Sequence, residues 1–250
     1  LRVAAADVGP GLTPDEIGRH LGHIAEVIVA QALTLAHDDL VLKHGRPTLE
    51  QGGRTINPGF AVIAYGKLGS LELGYTSDLD MIFLHGAEQE GGITDGARPI
   101  ANEVFFARLG QRLIHILTAR TGGGILYEVD TRLRPSGGSG MLVTHPAAFR
   151  EYQDSHAWAW EHQALIRARP VAGDAGLAAV FEGIRATTLC RARDPETLRT
   201  EVMAMRERMH AAQAPHDPGE INLKQDPGGM IDVEFMVQYA VLRWAHDHPE

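Results

Sequence analysis

The chain has 250 residues, 44% hydrophobic and 22% charged, a balance that fits folded globular protein with room for one large or two modest domains. Its 32 acidic against 23 basic side chains leave a formal charge of −9, so the surface as a whole repels polyanions and nucleic acid is excluded as the main partner. The single cysteine, Cys190, excludes an internal disulfide framework, and no apolar run approaches the roughly 20 residues of a membrane-spanning helix, so a soluble cytoplasmic protein is predicted.

From its first residue, Leu1, to Glu250 just after an apolar helical pattern, the chain reads as a piece of a longer polypeptide. Thr13-Pro14-Asp15-Glu16 is a capping box with proline at the first helical position. Ile17, Leu21, Ile24, Ile28 and Leu35 then recur on one face, which predicts a long amphipathic helix to about Lys43. Residues 44–59, rich in Gly, Pro, Arg and Thr, break the periodicity and read as a linker. Two short apolar runs, Phe60 to Tyr65 and Met81 to Leu84, have the character of buried strands. Phe105, Leu109, Leu113, Ile116 and Leu117 predict a helix from about Pro99 to Arg120, stopped by Gly122-Gly123-Gly124.

A third strand is predicted over Ile125 to Asp130 and a fourth over Met141 to Val143, joined by the turn-forming run Ser136 to Gly140. Beyond His145 the strand patterns cease and helices are expected: one from about Pro146 to Arg169, one capped by Asp194-Pro195, and one from Met230 to His246. The fold class is therefore α+β, a small mixed sheet flanked by helices and followed by a helical domain. The expected divisions are an N-terminal helix and linker over 1–58, a sheet core over 59–145, and a helical domain over 146–250, truncated at its C-terminus.

The most informative stretch runs from Gly66 to Asp80, between two predicted strands. Asp78 and Asp80 stand two apart at the start of a strand, so their side chains share a face. Carboxylates so close repel one another unless a cation lies between them, and Mg²⁺, a hard ion with a preference for oxygen, suits them. Gly69-Ser70 supplies a bend whose amides can approach a phosphate and a hydroxyl that can donate to it. An Asp-x-Asp pair or a Gly-Ser turn alone is commonplace on protein surfaces. Their order here, strand, Gly-Ser loop, Asp-x-Asp, strand, is much more specific.

That order resembles the polymerase-beta-like nucleotidyltransferase superfamily. The runs Tyr65-Gly66-Lys67-Leu68-Gly69, Glu72-Leu73-Gly74-Tyr75, Tyr127-Glu128-Val129-Asp130, Arg132-Leu133-Arg134-Pro135, Trp160-Glu161-His162-Gln163 and Gly228-Gly229-Met230-Ile231-Asp232 look more narrowly like glutamine-synthetase adenylyltransferases. The resemblance extends from about Phe60 to the end of the chain.

That family carries two homologous halves, one removing AMP from glutamine synthetase and one attaching it. The wording around Asp78-Leu79-Asp80 and Trp158 to Leu165 is more similar to the attaching half. The resemblance implies ATP as substrate, a site for two Mg²⁺ ions, glutamine synthetase as acceptor of AMP on a tyrosine, and a PII-type signal protein as regulator of the full-length enzyme. It also implies Asp130 as a third carboxylate beside Asp78 and Asp80.

Lys67, Gly69, Ser70, Arg132, Arg134, Arg167, Arg169 and Lys224 are the nucleotide-site candidates that go with it. For Arg132 and Arg134, phosphate binding and neutralisation of the acidic cluster both stay open. Around Lys224, Asp232 and Glu234 the alternative is a helix cap with an internal salt bridge. Trp158 and Trp160 read as core packing ahead of adenine stacking. The 13 histidines form no ligand array. Two other functions stay in view: the AMP-removing half, and a nucleotide-sensing module without catalysis.

Overall fold

The computed structural model describes residues 2–9, 11–87, 92–212 and 221–248. A short helix α1 (Arg2–Val8) precedes α2 (Pro14–His44), whose capping box forms as the sequence predicts. The Thr13 hydroxyl accepts from the Glu16 amide at 3.3 Å, and the Thr13 amide donates to the Glu16 carboxylate at 2.8 Å. The buried face of α2 departs from the expected one in part: Ile17 is buried as expected and Leu40 with it, but the rest is the small-residue stripe Gly18, Gly22, Ala25, Val29, Ala32 and Ala36, while Ile24 and Leu35 are exposed. Small side chains let the helix axis come close to its neighbours, and the larger Leu21 and Ile28 pack at the flanks.

The expected linker holds a hairpin, β1 (Leu49–Gln51) and β2 (Arg54–Ile56), paired antiparallel. Its two-residue turn is Gly52-Gly53 with φ of 58° and 76°, the left-handed pair that such a tight connection demands. β3 (Phe60–Ala64) follows, then the single helical turn α3 (Gly66–Gly69), β4 (Leu79–His85), α4 (Asn102–Thr118), β5 (Val129–Asp130) and β6 (Val143–Thr144). The third strand is thus only the last two residues of the predicted run. Ile125 and Leu126 are exposed, and without a partner strand their apolar character does not make them sheet.

α5 (Pro146–Ser155) and α6 (Ala159–Leu165) replace the single helix expected after His145, and the strands do not cease there. β7 (Arg169–Gly173) returns to pair antiparallel with β3. Pro170 masks this strand in the sequence, but β7 lies at the end of the order β5-β4-β3-β7, where a missing amide donor is tolerated. α7 (Ala175–Leu189), α8 (Pro195–Ala211) and α9 (Met230–Trp244) complete the chain. No helix among the described residues is long and apolar enough to cross a membrane.

Two compact units result. The first comprises residues 1–152 and 167–182, the second residues 153–166 and 183–250. In the first, Phe60, Val62, Ala64, Leu79, Met81 and Phe83 join α2 and α4 in one buried cluster. Strand alternation sends Asp80, between Leu79 and Met81, to the opposite face. In the second, α8 and α9 bury Leu198, Val202, Ile231 and Leu242. Trp158 is 62% exposed and so does not pack a core as expected.

Candidate active site

β4 and β5 run parallel with Leu79 opposite Val129 and Asp80 opposite Asp130. Directly paired residues of adjacent strands point to one face, so the register sets the two carboxylates side by side. Asp78 enters from the residue before β4. Carboxylate oxygens of Asp78, Asp80 and Asp130 all lie within 4.8 Å of one another, the only such acidic or metal-ligating group among the described residues. The expected triad is therefore assembled, from two segments 50 residues apart in the chain.

Asp78 is exposed and the other two are partly buried. Burial, then the charges of Asp78 and Asp130, push the Asp80 carboxyl from 3.8 up to about 6, against the pull of Arg132 and Arg167. Asp130 is held below the usual carboxylate range, chiefly by hydrogen bonds from the Arg132 guanidinium. Arg132 Nε reaches both Asp130 oxygens at 3.0 and 2.7 Å, and its amide donates to Oδ1 at 2.8 Å. Three convergent carboxylates, one of them destabilised as an anion, form a donor set that fits a hard divalent cation.

The opposed shifts make a pH prediction. Without divalent cation, folded chain retains a proton on Asp80 that unfolded chain has released, so this group's stabilising contribution is present at low pH and lost as pH rises from 3.8 through about 6. Asp130 has the other sign: its contribution is present above its unfolded value and lost as pH falls through its lowered one. A divalent cation bound by the triad would compete with the Asp80 proton, so the affinity for added Mg²⁺ should drop as pH is lowered through about 6. Titration calorimetry at pH 7.5 and 5.5 checks this, with proton uptake by buffer on binding at the lower pH; equal affinity at both would refute it.

The turn after β3 holds the other candidates. A Cβ at Gly66, φ 52°, would lie 2.4 Å from Asp80 Oδ2, so this glycine is what lets the turn sit against the carboxylate. The amides of Gly69 and Ser70 donate within the turn, to the Tyr65 and Gly66 carbonyls at 3.0 and 3.1 Å. The Ser70 hydroxyl donates to the Gly66 carbonyl at 3.0 Å and accepts from Arg167 Nε and Nη2 at 3.1 and 2.9 Å. Arg167 also pairs with Glu72. Arg169 binds the carbonyls of Gly69 and Leu68 at 2.8 and 3.1 Å and pairs with Glu26. Lys67 is exposed on the same turn.

Arg134 spends its guanidinium on the loop after Asp130, donating to the Thr131 carbonyl and hydroxyl at 2.8 and 2.9 Å and to the Gly138 and Gly140 carbonyls at 3.0 and 3.2 Å. Lys224 is exposed in the second unit, ahead of α9. Near it, Asp232 accepts from the Gly228 amide at 2.6 Å and pairs with Arg206, the cap and salt bridge that the sequence left open. Glu161 accepts from the Trp158 amide at 2.9 Å. Sequence reading missed Gly66 as a site residue and Glu26 altogether. Two glycines, Gly18 and Gly22, one turn apart inside a long helix were the available signal for a close approach at α2.

Comparison with known proteins agrees with this picture. The family model described as glutamate-ammonia ligase adenylyltransferase matches residues 1–184. Proteins named bifunctional glutamine synthetase adenylyltransferase/adenylyl-removing enzyme from Thioalkalivibrio sulfidiphilus, Nitrosococcus oceani and Hahella chejuensis are 55%, 54% and 51% identical to it. Each aligns with all of this chain, which spans 26% of the length of each. The chain belongs to the glutamate-ammonia ligase adenylyltransferase family.

Proposed function

We propose that this chain is a polymerase-beta-like nucleotidyltransferase that moves AMP from ATP to a tyrosine hydroxyl of glutamine synthetase and releases pyrophosphate. The observation that carries the reading is the convergence of Asp78, Asp80 and Asp130 beside the Ser70 turn. Family membership supports nucleotidyl transfer, and the relatives' names support the acceptor.

The phenol oxygen attacks the α-phosphorus of ATP; a new O–P bond forms as the bridge to the β-phosphate breaks, and pyrophosphate leaves. A phenol of pKa about 10 is a weak nucleophile at neutral pH. Asp130, kept ionised by Arg132, is too weak a base to remove that proton alone; it orients the hydroxyl by accepting its hydrogen bond, and a bound cation would raise the acidity of the phenol so that its proton passes to solvent. Mg²⁺ held by Asp78, Asp80 and Asp130, as one or two ions, would supply positive charge to the triphosphate and to the attacking oxygen. Ser70, held in place by Arg167, and the exposed Lys67 are assigned to the departing pyrophosphate.

The relatives' names also carry adenylyl removal, so the reverse direction is a second reading: inorganic phosphate attacks the phosphorus of AMP-tyrosine, the bond from that phosphorus to the tyrosine oxygen breaks, the tyrosine leaves as its protonated hydroxyl and ADP is the product. Mass spectrometry of glutamine synthetase incubated with this chain, ATP and Mg²⁺ tests the first reading, and the expected result is one AMP added to a tyrosine-containing peptide. ADP released from pre-modified synthetase and phosphate, with no addition from ATP, transfers the chain to the second. Neither product overturns both.

A further inference from the structure

The long helix α2 precedes every element that carries a carboxylate of the triad, yet it lies against the turn beside that triad. Gly18, Gly22 and Glu26 are spaced four apart and share one face. A Cβ on Gly18 would meet the Leu71 carbonyl and Glu72 Cα at 3.1 Å, and one on Gly22 would meet the Leu71 side chain at 3.0 Å. The two glycines therefore admit the end of the 66–72 turn onto the helix. Leu71 itself sits at φ 61°, a left-handed conformation that is strained for a non-glycine residue and persists where neighbours hold it.

One turn further along, Glu26 pairs with Arg169, and the same guanidinium binds the carbonyls of Leu68 and Gly69. Arg169 opens β7 and is in register with Ala64, the last residue of β3, so its backbone is fixed by the sheet. The guanidinium thus ties three things together: the helix, the sheet and the turn that abuts Asp80. A planar fork with several donors can do this; an ammonium on a flexible stem cannot.

We infer that Glu26 and Arg169 are a positioning pair for the 66–72 turn, so that α2 is part of the catalytic apparatus and Arg169 acts through the turn and not on phosphate. This rests on the proposed nucleotidyl transfer. Were Arg169 a nucleotide ligand restrained by Glu26, removing the glutamate would free it and strengthen ATP binding. Were the pair a positioning device, removing either member would displace Ser70 and the turn from Asp80 and slow the transfer.

The test uses Glu26→Ala, the near-isosteric Glu26→Gln in case the first folds poorly, Arg169→Lys, and the Glu26→Ala/Arg169→Lys double variant. In Glu26→Ala, kcat for AMP transfer should fall at least tenfold, within the roughly 10- to 100-fold range typical of misplaced site elements, while KM for ATP changes less than about threefold. Arg169→Lys should lose a similar factor despite keeping its charge, and the double variant should be no slower than the slower single one. Amide exchange over residues 66–72 should quicken in Glu26→Ala, with α4 unchanged.

Unchanged kcat and exchange in Glu26→Ala, or a lower KM for ATP, would overturn the inference. So would full activity in Arg169→Lys. If the unsubstituted chain transfers no AMP, the proposed function fails instead, and the exchange measurement alone then decides whether the pair holds the turn.

Discussion

Asp80→Asn is expected to abolish the proposed AMP transfer, with a loss of about 10³-fold or more, equivalent to ~4 kcal/mol at 1.36 kcal/mol per decade. Asp80 is paired with Asp130 across β4 and β5, all three carboxylates lie within 4.8 Å of one another, and the charges of both Asp78 and Asp130 bear on Asp80. An amide keeps the shape and removes the charge that a cation needs. The same substitution removes repulsion from a site where burial and two like charges oppose the anion, so the variant should unfold no earlier than the parent at neutral pH. The variant should also lose the decline in stability between pH 3.8 and about 6. Asp78→Asn should follow it in activity with a smaller effect on stability, because Asp78 is exposed. Transfer rates within about threefold of the parent in both variants would remove the carboxylates from the mechanism.

The separation of rate from stability also shows which parts of the site sequence can reveal. Asp78 and Asp80 were legible because local order governs them, two residues apart where a strand begins, whereas Asp130 was named only through the family resemblance. Their actual meeting depends on the parallel register of β4 and β5, a long-range pairing that no local pattern encodes. The α2 helix was legible to within one residue at its C-terminal end because its capping box and its run without prolines are local. Its buried face was legible only in part: Ile17 is buried and Leu21 and Ile28 pack beside the core, but Gly18, Gly22 and Ala25 carry no hydrophobic signal and gain their role only from what packs on them.

The same limit explains β7. Arg169 and Pro170 argue against a strand locally, and only the free edge of β3 makes the segment one. The arginines were identified by type but not by engagement. Arg134 is consumed by its own loop, and Arg167 and Arg169 reach back about 100 residues to the 66–72 turn.

Gly69→Ala is expected to damage the fold itself. A Cβ there would lie 1.7 Å from the Arg167 carbonyl oxygen and 3.1 Å from that of Ala64, so the obstruction is backbone on two sides and no rotamer relieves it. The turn must move off the Arg167 backbone that leads into β7, with a stability loss of about 1–3 kcal/mol by the usual cost of overpacking, and the proposed AMP transfer should fall with it. Urea unfolding followed by fluorescence, alongside the transfer assay, measures both. Gly66→Ala makes the informative contrast: its Cβ would meet Asp80 Oδ2 at 2.4 Å, the tip of a side chain that can swing away. Its left-handed φ of 52° adds about 1 kcal/mol of strain, but the displaced carboxylate is the larger consequence. Gly66→Ala should therefore lose Mg²⁺ affinity and transfer while staying folded, whereas Gly69→Ala should lose midpoint and activity together. Equal midpoints for the two variants and the parent would mean that the turn is not packed against β7 as closely as its glycines require.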